Sequence, residues 1–258
     1  MTLGQETGPS PLPARLIRWE VFIVFAVSLG ASGLNALLDL IGSLLARPPL
    51  RSQQALLVGS LAPSHWLDLV LQVVGIAEAL VPVALVVYLI VVSGESPSVL
   101  GVDATQPGRD FLRGAVLAAV IGGSGLGLYL AAFKLGASLN VVPEQLPAVW
   151  WRIPVLLLSA AHDGILEEIL VLGYLLHRLD QLDWTPWKAI VFSAVLRGSY
   201  HLYQGFGGFL GNAAMGLIFG FLYRRWGRVT PMIIAHALID AVAFIGYAAL
   251  HGRVSWLP

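Results

Sequence analysis

Two adjacent glutamates, Glu167 and Glu168, lie within a stretch that otherwise has the composition of a membrane-spanning helix. A charged side chain near the middle of a bilayer costs at least about 2.5–3.5 kcal/mol. Helical neighbours point about 100° apart, so one contact cannot satisfy both carboxylates. Two other apolar segments carry further polar residues, which are His201, His236 and Asp240. Carboxylates and imidazoles gathered in an apolar bundle are what a buried hydrolytic or metal site needs.

The spacing of these residues predicts which of them share a helix face. His236 and Asp240 are four residues apart, and so are Arg197 and His201. An arginine within an apolar span is expensive unless it is paired, so we expect Arg197 to bind one of the two glutamates. Such a pair could simply join two helices, or it could hold one glutamate while the other does chemistry. His162 and Asp163 lie about one turn before the glutamates, and either could face the same site, or His162 could lie near an interface.

The composition is that of an integral membrane protein. Of 258 residues, 57% are hydrophobic and 12% are charged, whereas soluble domains carry roughly 25% charged residues. No strand-like alternation stands out, so we predict an all-α, polytopic transmembrane bundle surrounded by lipid. The formal net charge of zero gives no electrostatic basis for binding nucleic acid. The absence of cysteine excludes disulfides, thiolate zinc sites and cysteine nucleophiles.

About seven segments are long enough to cross a hydrocarbon core about 30 Å thick, some with tilt. They are Trp19–Leu45, Trp66–Val92, Phe111–Leu135, Ile153–Leu176, Pro186–Tyr203, Gly207–Tyr223 and Pro231–Leu250. We expect residues 1–16 to form a disordered tail and residues 17–258 a single transmembrane domain. The polar site should lie between the C-terminal helices, within about residues 150–250. Nine basic loop residues against five place the N-terminus in the cytoplasm.

Three short patterns resemble the CPBP family of intramembrane proteases, named for CAAX and bacteriocin processing, which includes the Ras-converting CAAX endopeptidase. Its pattern is Glu-Glu-x-x-x-Arg on one helix, Phe-x-x-x-His on the next and His-x-x-x-Asn or Asp on a later one. The similar stretches here are Glu167-Glu168-Ile-Leu-Val-Leu172, Arg197-Gly-Ser-Tyr-His201 and His236-Ala-Leu-Ile-Asp240. Leu172 replaces the family arginine and Arg197 replaces the phenylalanine. The ion pair to Glu168 would then come from Arg197 on the neighbouring helix, in a supporting role.

The resemblance implies a role for each matching residue. Glu167, beside Glu168 in the catalytic pair, would be the general base that activates water, and His201 would help to hold that water. His236 and Asp240 would stabilise the oxyanion of the tetrahedral intermediate. The family is often labelled metalloprotease, and Glu167, His201, His236 and Asp240 could instead bind zinc with an open position for water. Direct glutamate catalysis and a zinc site therefore both stay open.

The resemblance implies an endopeptidase that acts on a peptide or a membrane-protein tail, in a bacterial cell membrane and without a specified oligomeric state. One alternative is a family member that has lost catalysis and serves as a scaffold or immunity-type protein. Another is a transporter, since buried Glu and His residues also mark transport pathways. A hydrolase needs Glu167, His201 and His236 in one cavity, whereas a transporter would distribute its polar residues along a path.

Overall fold

A computed structural model describes residues 12–254, and helices account for most of this part of the chain. The helices are α1 Ala14–Ala26, α2 Leu29–Leu45, α3 His65–Ala79, α4 Val81–Val92, α5 Pro107–Lys134, α6 Arg152–Glu168, α7 Leu175–Gln181, α8 Pro186–Ser199, α9 Phe206–Trp226 and α10 Thr230–Leu250. A π-helical segment, Ile169–Tyr174, joins α6 to α7. Proline stands in the first turn of α4, α5, α8 and α10, where its missing N–H is harmless.

The structure confirms a helical integral membrane protein but not the expected seven spans. Within residues 12–254, four helical stretches are long and apolar enough to cross a membrane: α5, α9, α10 and the stretch His65–Val92 formed by α3 and α4. Helices α1 and α2 bend by 50° at their junction and make a fifth candidate if they count as one span. Of the other predicted spans, α8 has only 14 residues and α6 carries four charged side chains.

The predicted disordered tail ends earlier than expected. Residues 1–11 of that tail lie outside the described residues, but α1 already begins at Ala14. The residues that follow Pro13 are Ala, Arg and Leu, which are among the best helix formers. Residues 14–16 are therefore helical.

Two short strands were not predicted from the sequence. Strand β1, Gln54–Gly59, pairs in parallel with β2, Asn140–Gln145, in a two-stranded sheet with Ala55 opposite Val141. Each strand has only six residues, and its partner lies far away in the sequence. Such a pairing depends on how the helices bring the two segments together, so local patterning could not reveal it.

Close helix packing positions the polar residues of the C-terminal half. Helix α10 lies between α5 and α6, and α8 packs along α9. A Cβ on Gly164 of α6 would come within 2.9 Å of the Ile233 carbonyl oxygen of α10, and one on Gly216 of α9 would come within 2.9 Å of Ala194 Cα of α8. These glycines allow the backbones to approach closely, as small residues do between membrane helices. Short interhelical distances in turn let polar side chains on different helices reach one another.

The π-helical segment that follows the glutamate pair lies in the protein interior. Residues of the π-helical segment are all buried, and Leu172 is completely inaccessible within the main hydrophobic cluster. A single π turn inserts one extra residue into a helix and is frequent at functional sites. Leucine carries no charge, so position 172 does not supply the ion pair of the family pattern in this chain.

A second buried arginine, Arg178 of α7, joins three parts of the chain away from the candidate site. Its guanidinium donates hydrogen bonds to Glu20 of α1 at 2.8 Å and to Glu95, after α4, at 2.6 Å. It also donates to Gln181 at 2.8 Å and to Ser93 at 3.1 Å. We call these five residues the Arg178 cluster. All three guanidinium nitrogens have partners, so the cluster is a satisfied structural junction.

Candidate active site

The structure brings the predicted site residues together where α6, α10 and the C-terminal end of α8 meet. A cavity of about 890 Å³ is lined by polar side chains from these elements, which are Asp163, Glu167, His201, His236 and Asp240. Glu168 and Arg197 do not line this cavity but lie completely buried behind its wall. The two adjacent glutamates thus occupy different environments, one beside the cavity and one within the packed protein.

Glu168 joins three helices through one carboxylate oxygen. Arg197 Nη2 of α8 donates to Glu168 Oε1 at 2.6 Å, and His236 Nδ1 of α10 lies 2.7 Å from the same oxygen. This is the ion pair expected from the neighbouring helix. Glu168 Oε2 and the Nε and Nη1 atoms of Arg197 have no hydrogen-bond partner among the described residues. The arrangement therefore orients His236 while leaving several buried polar atoms unsatisfied.

One carboxylate oxygen of Glu167 accepts a hydrogen bond, and the other has no hydrogen-bond partner among the described residues. Tyr200 donates its hydroxyl hydrogen to Glu167 Oε2 at 2.7 Å, and Arg197 Nη1 lies 3.4 Å from that oxygen. The other oxygen, Oε1, lies 4.0 Å from His201 Nε2. Sequence reasoning missed Tyr200, although a tyrosine hydroxyl at the end of an apolar helix needs a hydrogen-bond partner. The held oxygen fixes the direction in which the free oxygen points.

The end of α8 sets the orientation of His201. Since α8 ends at Ser199, the Arg197 carbonyl lies in the last turn, where helical partners run out. His201 Nδ1 lies 3.0 Å from this carbonyl oxygen, which can only accept a hydrogen bond. Nδ1 therefore carries the proton, and in the neutral ring Nε2 presents its lone pair towards Glu167 Oε1. Two acceptors thus face each other across the 4.0 Å gap.

His236 lies between two carboxylates. Its Nδ1 faces Glu168, and its Nε2 lies 3.3 Å from Oδ2 of Asp240, one turn further along α10. Ionised carboxylates only accept hydrogen bonds, so a ring protonated on both nitrogens satisfies both neighbours. His236 and Asp240 both line the cavity, and the Nε2 side of the ring is the side next to Asp240. A positively charged donor is thereby placed beside the space that contains Glu167.

Zinc binding by Glu167, His201, His236 and Asp240 stays a prediction. Within residues 12–254, no group of three or more His, Cys, Asp or Glu side chains is placed to hold a metal ion. Glu167 Oε2 is occupied by Tyr200, and both nitrogens of His236 face carboxylates.

Asp163 and Asn212 are polar residues of the cavity wall to which the family pattern assigns no role. Asp163, for which the sequence left a site role open, lines it one turn before Glu167, and His162 Nε2 lies 3.3 Å from Asp163 Oδ1. Asn212 of α9 also lines the cavity, with its side-chain amide donating to the Gly208 carbonyl at 3.0 Å. Sequence reasoning missed Asn212; the only available signal was one amide within a glycine-rich span.

Comparison with known proteins supports the resemblance that the motifs suggested. Residues 149–242 match the family model described as Rce1-like, type II CAAX prenyl endopeptidase Rce1-like. The matched segment contains α6 to α9 and most of α10, and hence every candidate site residue. At the level of the family, the match supports an endopeptidase that acts on a peptide or protein substrate in a membrane. No curated protein and no solved structure shows a significant match to the chain.

Proposed function

We propose that the protein is an intramembrane endopeptidase that hydrolyses a peptide bond with a water activated by Glu167. The observation that carries this proposal is the free Oε1 atom of Glu167, which faces His201 Nε2 across 4.0 Å at the wall of the cavity. Clustering of the polar side chains around one cavity also favours a hydrolase over a transporter, in which they would follow a path.

A water molecule between Glu167 and His201 would be oriented for attack. Both facing atoms accept hydrogen bonds, so the water would donate one hydrogen to each and direct a lone pair into the cavity. As the water oxygen attacks the carbonyl carbon, Glu167 Oε1 takes one proton as general base. Tyr200 holds the other oxygen of the carboxylate, which prevents it from rotating away from the water.

His236 and Asp240 would support the charge that develops on the carbonyl oxygen. A donor aimed at such an oxyanion is worth about 2.7–4 kcal/mol. The Nε2–H of His236, which lies beside Asp240 at the cavity wall, can be shared with the oxyanion, while Glu168 holds Nδ1 and favours the positive ring. The tetrahedral intermediate then collapses, the C–N bond breaks, and the proton on Glu167 passes to the leaving amine. The products are a carboxylic acid and an amine.

Glu168 has a positioning role in this scheme, although the sequence pattern placed it among the catalytic residues. It is completely buried, does not line the cavity and binds Arg197 and His236. A carboxylate in this place cannot touch the substrate. It orients the imidazole that does, through the hydrogen bond to Nδ1.

The largest predicted effect is the loss of activity in Glu167→Gln. The amide keeps the size of the side chain but cannot take a proton from water, so kcat should fall about 10²–10⁴-fold, with an unchanged melting temperature. The measurement uses purified protein in detergent with a panel of fluorogenic peptides. Glu78→Gln is the matched control, because Glu78 is exposed on α3 and does not line the cavity; its activity should equal wild type.

Two outcomes would contradict the proposal. Peptidase activity that survives in Glu167→Gln would remove the general-base assignment. A wild-type protein that cleaves no peptide in the panel would favour the scaffold interpretation.

A chelator tests the alternative zinc chemistry on the same wild-type protein. Direct glutamate catalysis predicts unchanged activity after prolonged incubation with the chelator. Loss of activity that added zinc restores would instead support a metal-bound water.

A further inference from the structure

The two-stranded sheet has an edge whose main chain is turned away from the partner strand. The Asn140 N–H of β2 donates to the Gln53 carbonyl at 2.9 Å, so Asn140 faces β1. Main-chain groups alternate in direction along a parallel strand, so Val141, Pro143 and Gln145 face outwards. Proline lacks an N–H, which fits an outward position at an edge. The Val141 N–H confirms the direction, since it donates to the Tyr129 hydroxyl of α5 at 3.1 Å.

This outer edge of β2 borders the cavity of the candidate active site. Val141, Pro143 and Tyr129 line the same cavity as Glu167 and His201. The carbonyl oxygens of Val141 and Pro143 accept no hydrogen bond from any described residue outside the sheet. Strand β2 thus has outward-facing carbonyl acceptors without a hydrogen-bond partner among the described residues, and it lines the same cavity as Glu167.

The space next to this edge continues beyond the cavity and has room for side chains. Gln145, at the end of β2, lines a second cavity of about 220 Å³, and Tyr247 lines both cavities. Gly123 and Gly125 of α5 also line the first cavity, and a Cβ at either position would meet nothing within 4 Å. An elongated occupant could therefore lie along β2.

We propose that the outer edge of β2 binds the main chain of an extended peptide substrate as a third strand. Alternate N–H groups of the peptide donate to the carbonyls of Val141 and Pro143, and a peptide carbonyl accepts from the Gln145 N–H. Polar main-chain groups entering an apolar cavity need such partners, because an unpaired one is costly. Addition of a strand to a sheet edge is a recurring mode of peptide recognition.

This inference rests on the proposed endopeptidase function and specifies how that site holds its substrate. Main-chain hydrogen bonds give affinity that is independent of sequence, and selectivity comes from alternate side chains. Successive peptide side chains would point to opposite faces of the extended sheet, so the cavity wall would contact every second one. The edge therefore predicts recognition with a period of two residues along the substrate.

Peptides methylated on single main-chain nitrogens test this period directly. The full-length Glu167→Gln protein in detergent binds without cleaving, so the dissociation constant of each labelled peptide can be read from fluorescence anisotropy. N-methylation should weaken binding about three- to tenfold at every second residue and little in between, since one hydrogen bond is lost each time. Equal effects at neighbouring residues, or no binding by any peptide, would overturn the inference.

A matched pair of glutamines tests the edge from the protein side. Gln145→Pro removes an outward N–H of β2 without touching the bonds between the strands, and should weaken the unmethylated peptide about three- to tenfold. Gln54→Pro removes an outward N–H from the far edge of β1 and should leave the affinity unchanged. Both glutamines are exposed and outward-facing. Equal affinities in the two variants would contradict binding at β2.

The two proposals fail in different ways. If N-methylation weakens binding at every second residue but the wild type cleaves no peptide, binding at the outer edge of β2 is supported and hydrolysis is rejected. If the wild type cleaves peptides but the N-methylation effects do not recur at every second residue, hydrolysis is supported and binding at the outer edge of β2 is rejected.

Discussion

Two arginines are completely buried in the described part of the chain, and their surroundings differ. Arg178 donates hydrogen bonds from all three guanidinium nitrogens to its cluster at the junction of α1, α4 and α7. Arg197 donates one hydrogen bond, to Glu168, and its Nε and Nη1 atoms have no partner among the described residues. The carboxylates differ as well, since the Glu20 and Glu95 side chains are 13% and 23% exposed while Glu168 is 0% exposed.

This difference indicates that the Arg178 cluster stabilises the fold, whereas the junction of Arg197 and Glu168 orients the candidate site. A buried donor or acceptor without a partner costs about 1–3 kcal/mol, so the Arg197 group is not the arrangement that maximises stability. It does hold His236 beside the cavity through Glu168. Unsatisfied buried atoms in a native structure call for such an explanation, and here the neighbouring cavity supplies it.

Arg197→Leu should have the largest effect on folding. Removing one partner of a buried pair typically costs about 3–5 kcal/mol, because the other charge is left uncompensated. The free energy of unfolding in detergent should fall by this amount, and peptidase activity should fall with it as His236 loses its orientation.

The double variant with Glu168→Gln sharpens this test. Neutralising the stranded carboxylate should recover part of the lost stability in a double-mutant cycle. A cycle with no interaction energy would mean that Arg197 and Glu168 are not coupled.

Arg178→Leu should have a smaller effect and a different signature. Its carboxylate partners are partly exposed and can be hydrated, so we expect a loss of about 1.5–3 kcal/mol, as for hydrogen bonds to charged groups. The value of kcat per folded molecule should match wild type below the melting temperature. A fall in kcat without unfolding would show that this cluster also shapes the active site.

The smallest expected effect is the pH dependence of the Arg178 cluster. Burial raises the pKa of Glu95, but hydrogen bonds from Gln181 and the charge on His177 outweigh it and lower that pKa below its ordinary value of 4.5. The stabilisation by Glu95 is therefore complete above pH 4.5 and disappears as the pH falls through the lowered pKa.

Melting temperatures of wild type and Glu95→Gln measure this contribution. They should differ at neutral pH and converge at acidic pH. A difference that stays constant down to the lowest pH at which both proteins fold would exclude this carboxylate as the source.

Most of the candidate site could be identified before the structure was known. Glu167, His201, His236 and Asp240 stand out because polar side chains in apolar helices are expensive, and the spacing within each helix predicts which of them share a face. Tyr200 did not stand out, since a tyrosine in an apolar segment is common and only its contact with Glu167 gives it a role.

The fold could be predicted from the sequence less completely than the site. Helical, membrane-embedded character follows from composition, but the number of spans depends on how far each segment is buried by its neighbours. The bend between α1 and α2 and the pairing of β1 with β2 are set by contacts between distant parts of the chain. Local patterns carry no information about such contacts, which is why both were missed.

The sequence by itself determined that this is a helical membrane protein, which polar residues must find partners, and the family that residues 149–242 resemble. Only the tertiary structure decided what the two adjacent glutamates do. A rotation of about 100° between helical neighbours turns Glu167 to the cavity and Glu168 into the protein. Which direction is cavity and which is core depends on the packing of α8 and α10 against α6, and therefore on long-range contacts.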